Sequence, residues 1–405
     1  MKYSSLLIFL LVFVACKKSE PISIKDDVIF LSDDKLEGRQ TGTVGEKKAA
    51  TYIANRFKNL GIEAKGTQNY LQPFTFKPKT NPHQKVNYNV TESDSTITGL
   101  NVIGFLDNNA ENTVVIGAHY DHLGYGAEGS LHRGEKAIHN GADDNASGVA
   151  VLLDLAKKLK ETNTNNNYLF ITFSGEEMGL LGSNYFVKNP TINTKKVNYM
   201  INMDMVGRLK QDSTLAVYGV GTSPIFKQTV TSNNANFKLI PKESGIGPSD
   251  HTSFYNANIP VLHFFTGQHE DYHKPTDDYD KLNYKGMQTI SNYIFEIITD
   301  LDDNGKLPFR KTKNESDNTP RFKVVLGVIP DYLFDGKGMR IDGISEDKPA
   351  QKAGLKKGDI VIKLGDSTVT DLMSYMKALS VFEKGNKTQV VVDRKGEKVE
   401  VEIEF

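Results

Sequence analysis

Eight of the nine histidines in this chain lie between His119 and His273, and carboxylates are interleaved with them. The stretches are His119-Tyr120-Asp121-His122, Gly141-Ala142-Asp143-Asp144-Asn145-Ala146-Ser147-Gly148, Ser174-Gly175-Glu176-Glu177, Asn202-Met203-Asp204 and Tyr272-His273-Lys274-Pro275-Thr276-Asp277. Imidazole and carboxylate donors suit zinc, which in catalytic sites keeps one coordination position open for water. Two histidines and three carboxylates suit a pair of such ions, one histidine to each, provided that one carboxylate bridges them. Hydrolysis also needs a base that is not a ligand, and the adjacent side chains of Glu176-Glu177 diverge, so that one can bind metal while the other faces the water. Each group has a plainer reading by itself. Asp143, Asp144 and Ser147 would cap a helix, Glu176 and Glu177 would favour a helix N-terminus, and His119 and His273 would be hydrogen-bonded structural histidines. Five coincidences of that kind make the weaker explanation.

The elements that must position these groups are legible in the hydrophobic pattern. Short apolar strands are expected at Val102 to Leu106, Thr113 to Ala118, Tyr168 to Phe173, Tyr199 to Met203, Leu215 to Tyr218 and Pro260 to Phe265. Between them, Val149, Leu152, Leu153, Ala156 and Leu159 keep helical spacing, as do Leu180 to Val187 and Lys285 to Leu301, and Lys25 to Phe57 reads as mostly helical before Gly61. Apolar strands alternating with amphipathic helices predict an α/β fold with a mostly parallel central sheet flanked by helices. Four of the five acid or histidine groups fall just past a strand end or at the start of the next helix, on the sheet edge where ligands bind in open α/β folds. A polar stretch from Asp302 to Thr319 reads as a linker, and a small β-rich domain follows, with strands at Val324 to Ile329, Ile360 to Leu364 and Gln389 to Val392 and a helix at Leu372 to Leu379. The expected organisation is 1–15 signal peptide, 16–24 tether, 25–303 catalytic domain, 304–319 linker and 320–405 C-terminal domain.

Composition narrows the partners. The 405 residues carry 49 Lys+Arg against 50 Asp+Glu, a formal net charge of −1, so nucleic acid is not an expected partner. The single cysteine, Cys16, forms no internal disulfide and ends an N-terminal pattern of Lys2 and an apolar run from Leu6 to Ala15. That run is too short to span a bilayer and fits an export signal. Phe13-Val14-Ala15-Cys16 resembles a bacterial lipoprotein cleavage box, with Phe13 where leucine is usual. An exported protein, lipidated at Cys16 and anchored to a membrane facing the periplasm or the cell surface, is the expectation, and simple secretion is the alternative.

Taken together, Leu36-Glu-Gly-Arg-Gln-Thr-Gly, Gly117-Ala-His-Tyr-Asp-His-Leu-Gly, Gly-Ala-Asp-Asp-Asn-Ala-Ser-Gly, Gly-Glu-Glu, Asn-Met-Asp-Met and Tyr-His-Lys-Pro-Thr-Asp-Asp resemble the M28 family of zinc metallopeptidases in content and in order. The resemblance implies two zinc ions, one held by His119 and Asp204, the other by Glu177 and His273, with Asp144 bridging. It implies Glu176 as general base and acid, Asp121 as the carboxylate that orients His119, and a cis peptide at Asp144-Asn145. His251, in Pro248-Ser-Asp-His-Thr-Ser-Phe, stands where family members place substrate-contacting groups, and a structural role is the alternative. The implied activity is peptide hydrolysis, as an aminopeptidase in the first instance. A carboxypeptidase, a glutaminyl cyclase of the same fold and an inactive lipid-anchored peptide-binding scaffold are the rivals.

Residues 320–405 resemble a bacterial PDZ domain. The features are Leu326-Gly327-Val328-Ile329 as the carboxylate-binding loop, the run from Pro349 to Val361, and the helix bearing Leu372, Met376 and Leu379. Such a module implies capture of a C-terminal peptide by strand addition, and a domain that only packs against the enzyme is the alternative.

Overall fold

The computed structural model describes residues 22–78, 87–91, 94–126, 128–162, 165–313, 322–334, 336–345 and 347–405. The signal segment 1–15, Cys16, most of the tether and the second half of the expected linker lie outside the described residues. Among those described, no helix is long and apolar enough to cross a membrane.

The helical N-terminal region is three pieces rather than one. Helix α1 (Ile24–Leu31) starts at a capping box in which Ser23 and Asp26 satisfy each other's backbone, and a short turn at Asp34–Arg39 follows. Helix α2 (Val44–Asn59) starts at Thr43, whose hydroxyl accepts from the Glu46 N–H, and ends before Gly61. Strands β1 (Glu63–Ala64), β2 (Leu71–Phe76) and β3 (Ile97–Leu106) lead to β4 (Thr113–His119), helix α3 (Gly148–Lys160) and β5 (Asn167–Phe173). Then come α4 (Leu181–Lys188), β6 (Val197–Met203), β7 (Thr214–Tyr218), α5 (Phe226–Ser232), β8 (Lys238–Lys242), α6 (His251–Asn256), β9 (Val261–Phe265) and α7 (Tyr284–Leu301).

The strands form one sheet in the order β1-β3-β5-β4-β6-β9-β7-β8, with β2 paired to β3. The central run β5-β4-β6-β9 is parallel, whereas β3 joins β5 and β7 joins β9 antiparallel. Every residue of β4, β5 and β6 is buried, as expected of strands covered on both faces. Helices α1, α2, α3 and α7 cover one face, with Val149, Leu152, Leu153, Ile290, Ile294 and Ile297 in its core. On the other face α4 and α6 bring Phe186 and Phe254 against Ile103, Leu169 and Phe173. Because the four central strands run the same way, their C-terminal ends share one sheet edge.

The expected linker is not a free tether at its start. Leu307 enters the core of the first domain and Phe309 packs on the opposite face, while the Arg310 N–H donates to Thr222 O at 2.7 Å. The polar composition of this stretch concealed two apolar anchors. Beyond it, β10 (Val328–Pro330), β11 (Met339–Ile344), α8 (Pro349–Lys352), β12 (Ile360–Leu364), β13 (Ser367–Thr368), α9 (Leu372–Leu379), β14 (Lys387–Arg394) and β15 (Glu397–Glu404) make a second sheet, ordered β10-β11-β12-β14-β15. Its core joins Val361, Leu364, Val390 and Val392 to Tyr375, Ala378 and Leu379 of α9. The strand expected at Val324 to Ile329 is formed only from Val328, and Val324 and Leu326 are buried in this core from a loop.

Candidate metal centre

His119 is the last residue of β4, Glu176 and Glu177 follow the turn after β5, and Asp204 follows β6 directly. Asp144 sits in the helical turn Ala142–Ser147 that opens α3, with the Asp144-Asn145 peptide cis. His273 comes eight residues after β9. The turn is admitted by Gly141, at φ +56, where a Cβ would lie 2.2 Å from Asp144 O.

Asp143 and Asp144 face opposite ways. Asp143 Oδ1 accepts from the Gly207 N–H at 2.6 Å and Oδ2 lies 3.1 Å from His269 Nε2. Asp144 points into the cluster instead. Its Oδ1 lies 3.3 Å from His119 Nε2, which is also 3.4 Å from Asp204 Oδ1. Its Oδ2 lies 3.2 Å from His273 Nε2, which is also 3.2 Å from Glu177 Oε2. Donor atoms about 2.0 Å from a tetrahedral zinc stand about 3.3 Å apart. In each group the two separations from the histidine have that spacing, so the residues fit zinc, and Asp144 offers a different oxygen to each group.

His122 is also within ligand range of Asp144 and Glu177. Its Nδ1 lies 2.7 Å from Glu177 Oε1, a hydrogen-bond distance rather than the separation of two donors on one ion. It holds the carboxylate oxygen that His273 leaves free.

The supports around these groups are buried and mutual. Asp121 Oδ1 accepts from the Glu176 N–H at 3.1 Å and Oδ2 from the Thr41 hydroxyl at 3.1 Å. Its backbone oxygen is 3.3 Å from His119 Nδ1, closer than its carboxylate at 3.7 Å. The residue therefore touches His119 mainly through its main chain and fixes the Glu176 backbone with its side chain. Asp277 accepts from the N–H groups of Asp143 and Asp144 at 3.0 and 3.1 Å, tying the His273 segment to the metal-facing turn. The ring of Tyr272 stacks on His273 at 3.8 Å. Burial, joined by the charges of Asp204, Glu177 and Asp250 and opposed by His119, holds Glu176 well above the ordinary carboxyl range.

His251 is fully buried and stacks on His263 at 4.3 Å between ring centroids. It does not line the cavity at the cluster, whereas His263 and Ser249 do. The expected substrate contact at His251 is thus replaced by a packing role, because the helix that begins there turns the ring inward. Its neighbour Asp250, not singled out in the sequence, is held up to about 7 by burial, against the pull of His119.

Residues 101–298 match the model of peptidase family M28, and residues 309–405 match that of the PDZ domain. The chain carries an M28 peptidase domain and a PDZ domain. A curated relative of the M28 part, described as "Probable leucine aminopeptidase" of Arthroderma benhamiae, is 32% identical over 171 residues, 39% of this chain and 43% of that protein. The match thus spans less than half of the relative's length. Among solved structures, an aminopeptidase from Aneurinibacillus sp. strain AM-1 superposes with TM-score 0.52 at 20% identity, covering 72% of this chain and 95% of that one. A Porphyromonas gingivalis glutaminyl cyclase does so with TM-score 0.54 at 18% identity, covering 69% and 97%. At these identities the superpositions speak for the fold alone.

In the M28 domain the sequence singled out all five donors of the cluster, and the fold brings His119, Asp144, Glu177, Asp204 and His273 together. It missed the grip of Asp277 on the Asp144 turn, although Asp277 stands in the same run as His273. In the PDZ domain, Gly327 has φ +83 and a Cβ there would lie 2.0 Å from Lys348 Cβ. A bulky residue at Gly327 would therefore disturb the loop itself before it tested any ligand.

Proposed function

We propose that the chain is a zinc-dependent exopeptidase, an aminopeptidase, that holds two zinc ions. The observation that carries this reading is the bridge: Asp144 Oδ1 lies 3.3 Å from His119, itself 3.4 Å from Asp204, and Asp144 Oδ2 lies 3.2 Å from His273, itself 3.2 Å from Glu177. A one-zinc cyclase would leave one of those groups without a purpose, so the doubled set favours the peptidase over the cyclase that shares the fold. Intact ligands and an intact Glu176 likewise speak against an inactive scaffold.

Zinc bound there supplies a Lewis acid for the scissile carbonyl and a water of lowered pKa. The protein's own part falls to Glu176, which takes the proton of the attacking water and delivers it to the departing amine. Asp121 fixes the Glu176 backbone, so that the base approaches from a constant direction. His122 holds Glu177 by a hydrogen bond and Tyr272 holds His273 by stacking, so both would keep their orientation when a metal binds.

Export and lipid anchoring at Cys16 belong to the same proposal and are supported by the sequence pattern alone. So is capture of a peptide C-terminus at Leu326–Ile329, beside the edge strand β10. The test is to incubate the zinc-loaded chain, lacking the segment through Cys16, with peptides bearing free or acetylated N-termini and to follow products by mass spectrometry. N-terminal shortening of the free peptides only, lost in Glu176→Gln at unchanged zinc content, is the expected result. Cleavage from the C-terminus, or equal cleavage of acetylated peptides, would refute the aminopeptidase reading.

A further inference from the structure

The catalytic cluster opens into a cavity of about 640 Å³ whose walls come from both domains. Its lining joins Asp144, Glu176, Glu177, Asp204 and His273 to Tyr332, Phe334, Met339, Leu372, Met373 and Met376 of the PDZ domain. The same PDZ surface is anchored on the M28 domain. Leu333 inserts among Ala216, Ile240, Tyr218 and Phe265, and Lys210 reaches Asp342 at 3.0 Å and Asp331 at 3.8 Å.

The loop that follows β10 is built to face two ways. Asp331 is buried and gripped by Arg340 at 2.8 and 2.5 Å, and its Oδ1 accepts from the Leu333 N–H at 3.0 Å. The Arg340 guanidinium also lies over the Phe334 ring, 4.6 Å from its centroid. With the turn fixed in this way, Leu333 enters the M28 core while its neighbours Tyr332 and Phe334 line the cavity. Helix α9 adds Leu372, Met373 and Met376 from its first two turns, held by an N-cap in which Asp371 accepts from the Ser374 N–H at 2.7 Å. The part of the wall that the PDZ domain contributes is therefore largely apolar and rich in methionine, whose unbranched side chains adapt to varied apolar shapes.

We propose that the PDZ domain is part of the substrate site, and that a peptide held at the metal cluster lays its remaining residues against Tyr332, Phe334, Met373 and Met376. The substrates this arrangement selects are short peptides with apolar side chains beyond the residue being removed. The volume is that of a site for one small ligand, and the second domain supplies part of its wall. This inference rests on the peptidase reading for its chemistry, but the contact itself can be measured without turnover.

The experiment uses the zinc-loaded full chain and a pentapeptide with leucine or phenylalanine at its second to fourth positions, beside a peptide with serine there. KM and kcat are measured for wild type, Phe334→Ala and Met373→Ala, and the pentapeptide's Kd is measured by calorimetry on Glu176→Gln with and without each wall change. The expected result is a rise of KM and Kd together, about tenfold for the apolar peptide as one buried side chain is lost, with kcat changed less than twofold and the serine peptide little affected. Phe334→Leu should restore most of the binding, and Met373→Ala, which leaves the Arg340–Phe334 contact intact, covers the case in which Phe334→Ala disorders the loop. Hydrolysis with KM and Kd unmoved by either variant would overturn the wall while leaving the peptidase reading standing. Absence of hydrolysis with binding that the wall variants weaken would support the wall and overturn the peptidase reading; absence of both would overturn the two together.

Discussion

Replacing Arg39 by methionine should uncouple the metal-facing loops from the scaffold. The guanidinium is almost fully buried, and it donates to the backbone oxygens of Tyr120 at 2.7 Å, Asn140 at 2.6 Å, Gly141 at 3.0 Å and Leu31. Tyr120 follows His119, and Gly141 opens the turn that carries Asp144, so one side chain binds the two backbone segments that present opposite ligands. Removing it orphans four buried carbonyls, each costing about 2 kcal/mol, or roughly 8 in all. Burial lowers the guanidinium pKa from 12.5 to about 10, so removing the charge returns roughly 3 kcal/mol of that loss. The balance for Arg39→Met is a destabilisation of about 5 kcal/mol. Arg39→Lys keeps the charge but not the planar fork, and a single ammonium cannot reach both sides of the site; about half the loss is expected. Urea unfolding at pH 7 with zinc in excess measures both, and zinc competition with a chelator should show weaker binding in the folded lysine variant. Stabilities within about 1 kcal/mol of wild type in both variants would refute the idea that this residue holds the loops together.

Zinc removal should cost stability, because Asp144 lies within ligand range of Asp204 in one group and of Glu177 in the other, and these carboxylates repel when no cation lies between them. At a thousandfold excess over Kd a ligand contributes about 4 kcal/mol, so chelation is expected to lower Tm by roughly 8 °C, with zinc restoring it and magnesium failing to; an unchanged melting curve would argue against the site. In the PDZ domain, burial alone would raise the Asp359 pKa, but hydrogen bonds from Arg394 at 2.7 and 2.8 Å and from the Lys356 N–H hold it below the ordinary 3.8. A lowered folded-state value means a contribution present above pH 3.8 and lost as pH falls through the folded pKa. Asp359→Asn should therefore speed hydrogen exchange in β12 and β14 at pH 7, by the equivalent of about 2 kcal/mol, and the gap from wild type should close in acid; a gap constant with pH would count against the pairing.

What the sequence disclosed about the site follows from where its chemistry falls. His119, Asp204 and the pair Glu176-Glu177 each end or follow an apolar strand, and parallel strands bring their ends together without further specification, so strand pattern and residue type sufficed. The assignment of Asp144 over Asp143 came from the motif, and its physical reason lies in contacts with Gly207 and His269, more than 60 residues away. The role of His122 was hidden for the same reason, since its partner Glu177 is 55 residues on. Strand β8 escaped notice because lysines flank it and Pro241 interrupts it, both features of an edge. The start of the linker was misjudged because two apolar residues in a polar stretch, Leu307 and Phe309, decide its path.

The same reasoning separates two classes of residue around the cluster. The carboxylates of the cluster repel one another without a cation, and His119 and His273 between them offset only part of that repulsion, so the fold must help to bring them together. That work falls to hydrogen bonds made outside the cluster: Arg39 on the two backbone segments, Asp277 on the amides of the Asp144 turn, Asp121 on the Glu176 amide and Thr41, and Asp143 on Gly207 and His269. Each of these ties together segments that lie far apart in sequence, so a change in any one moves a whole loop. Substituting one of the carboxylate donors, by contrast, relieves crowding among like charges and leaves the loops tied. A substitution at a ligand should therefore remove the zinc-dependent part of the stability and leave the zinc-free protein folded at least as well, whereas a substitution at a support should lower the stability of the zinc-free protein itself.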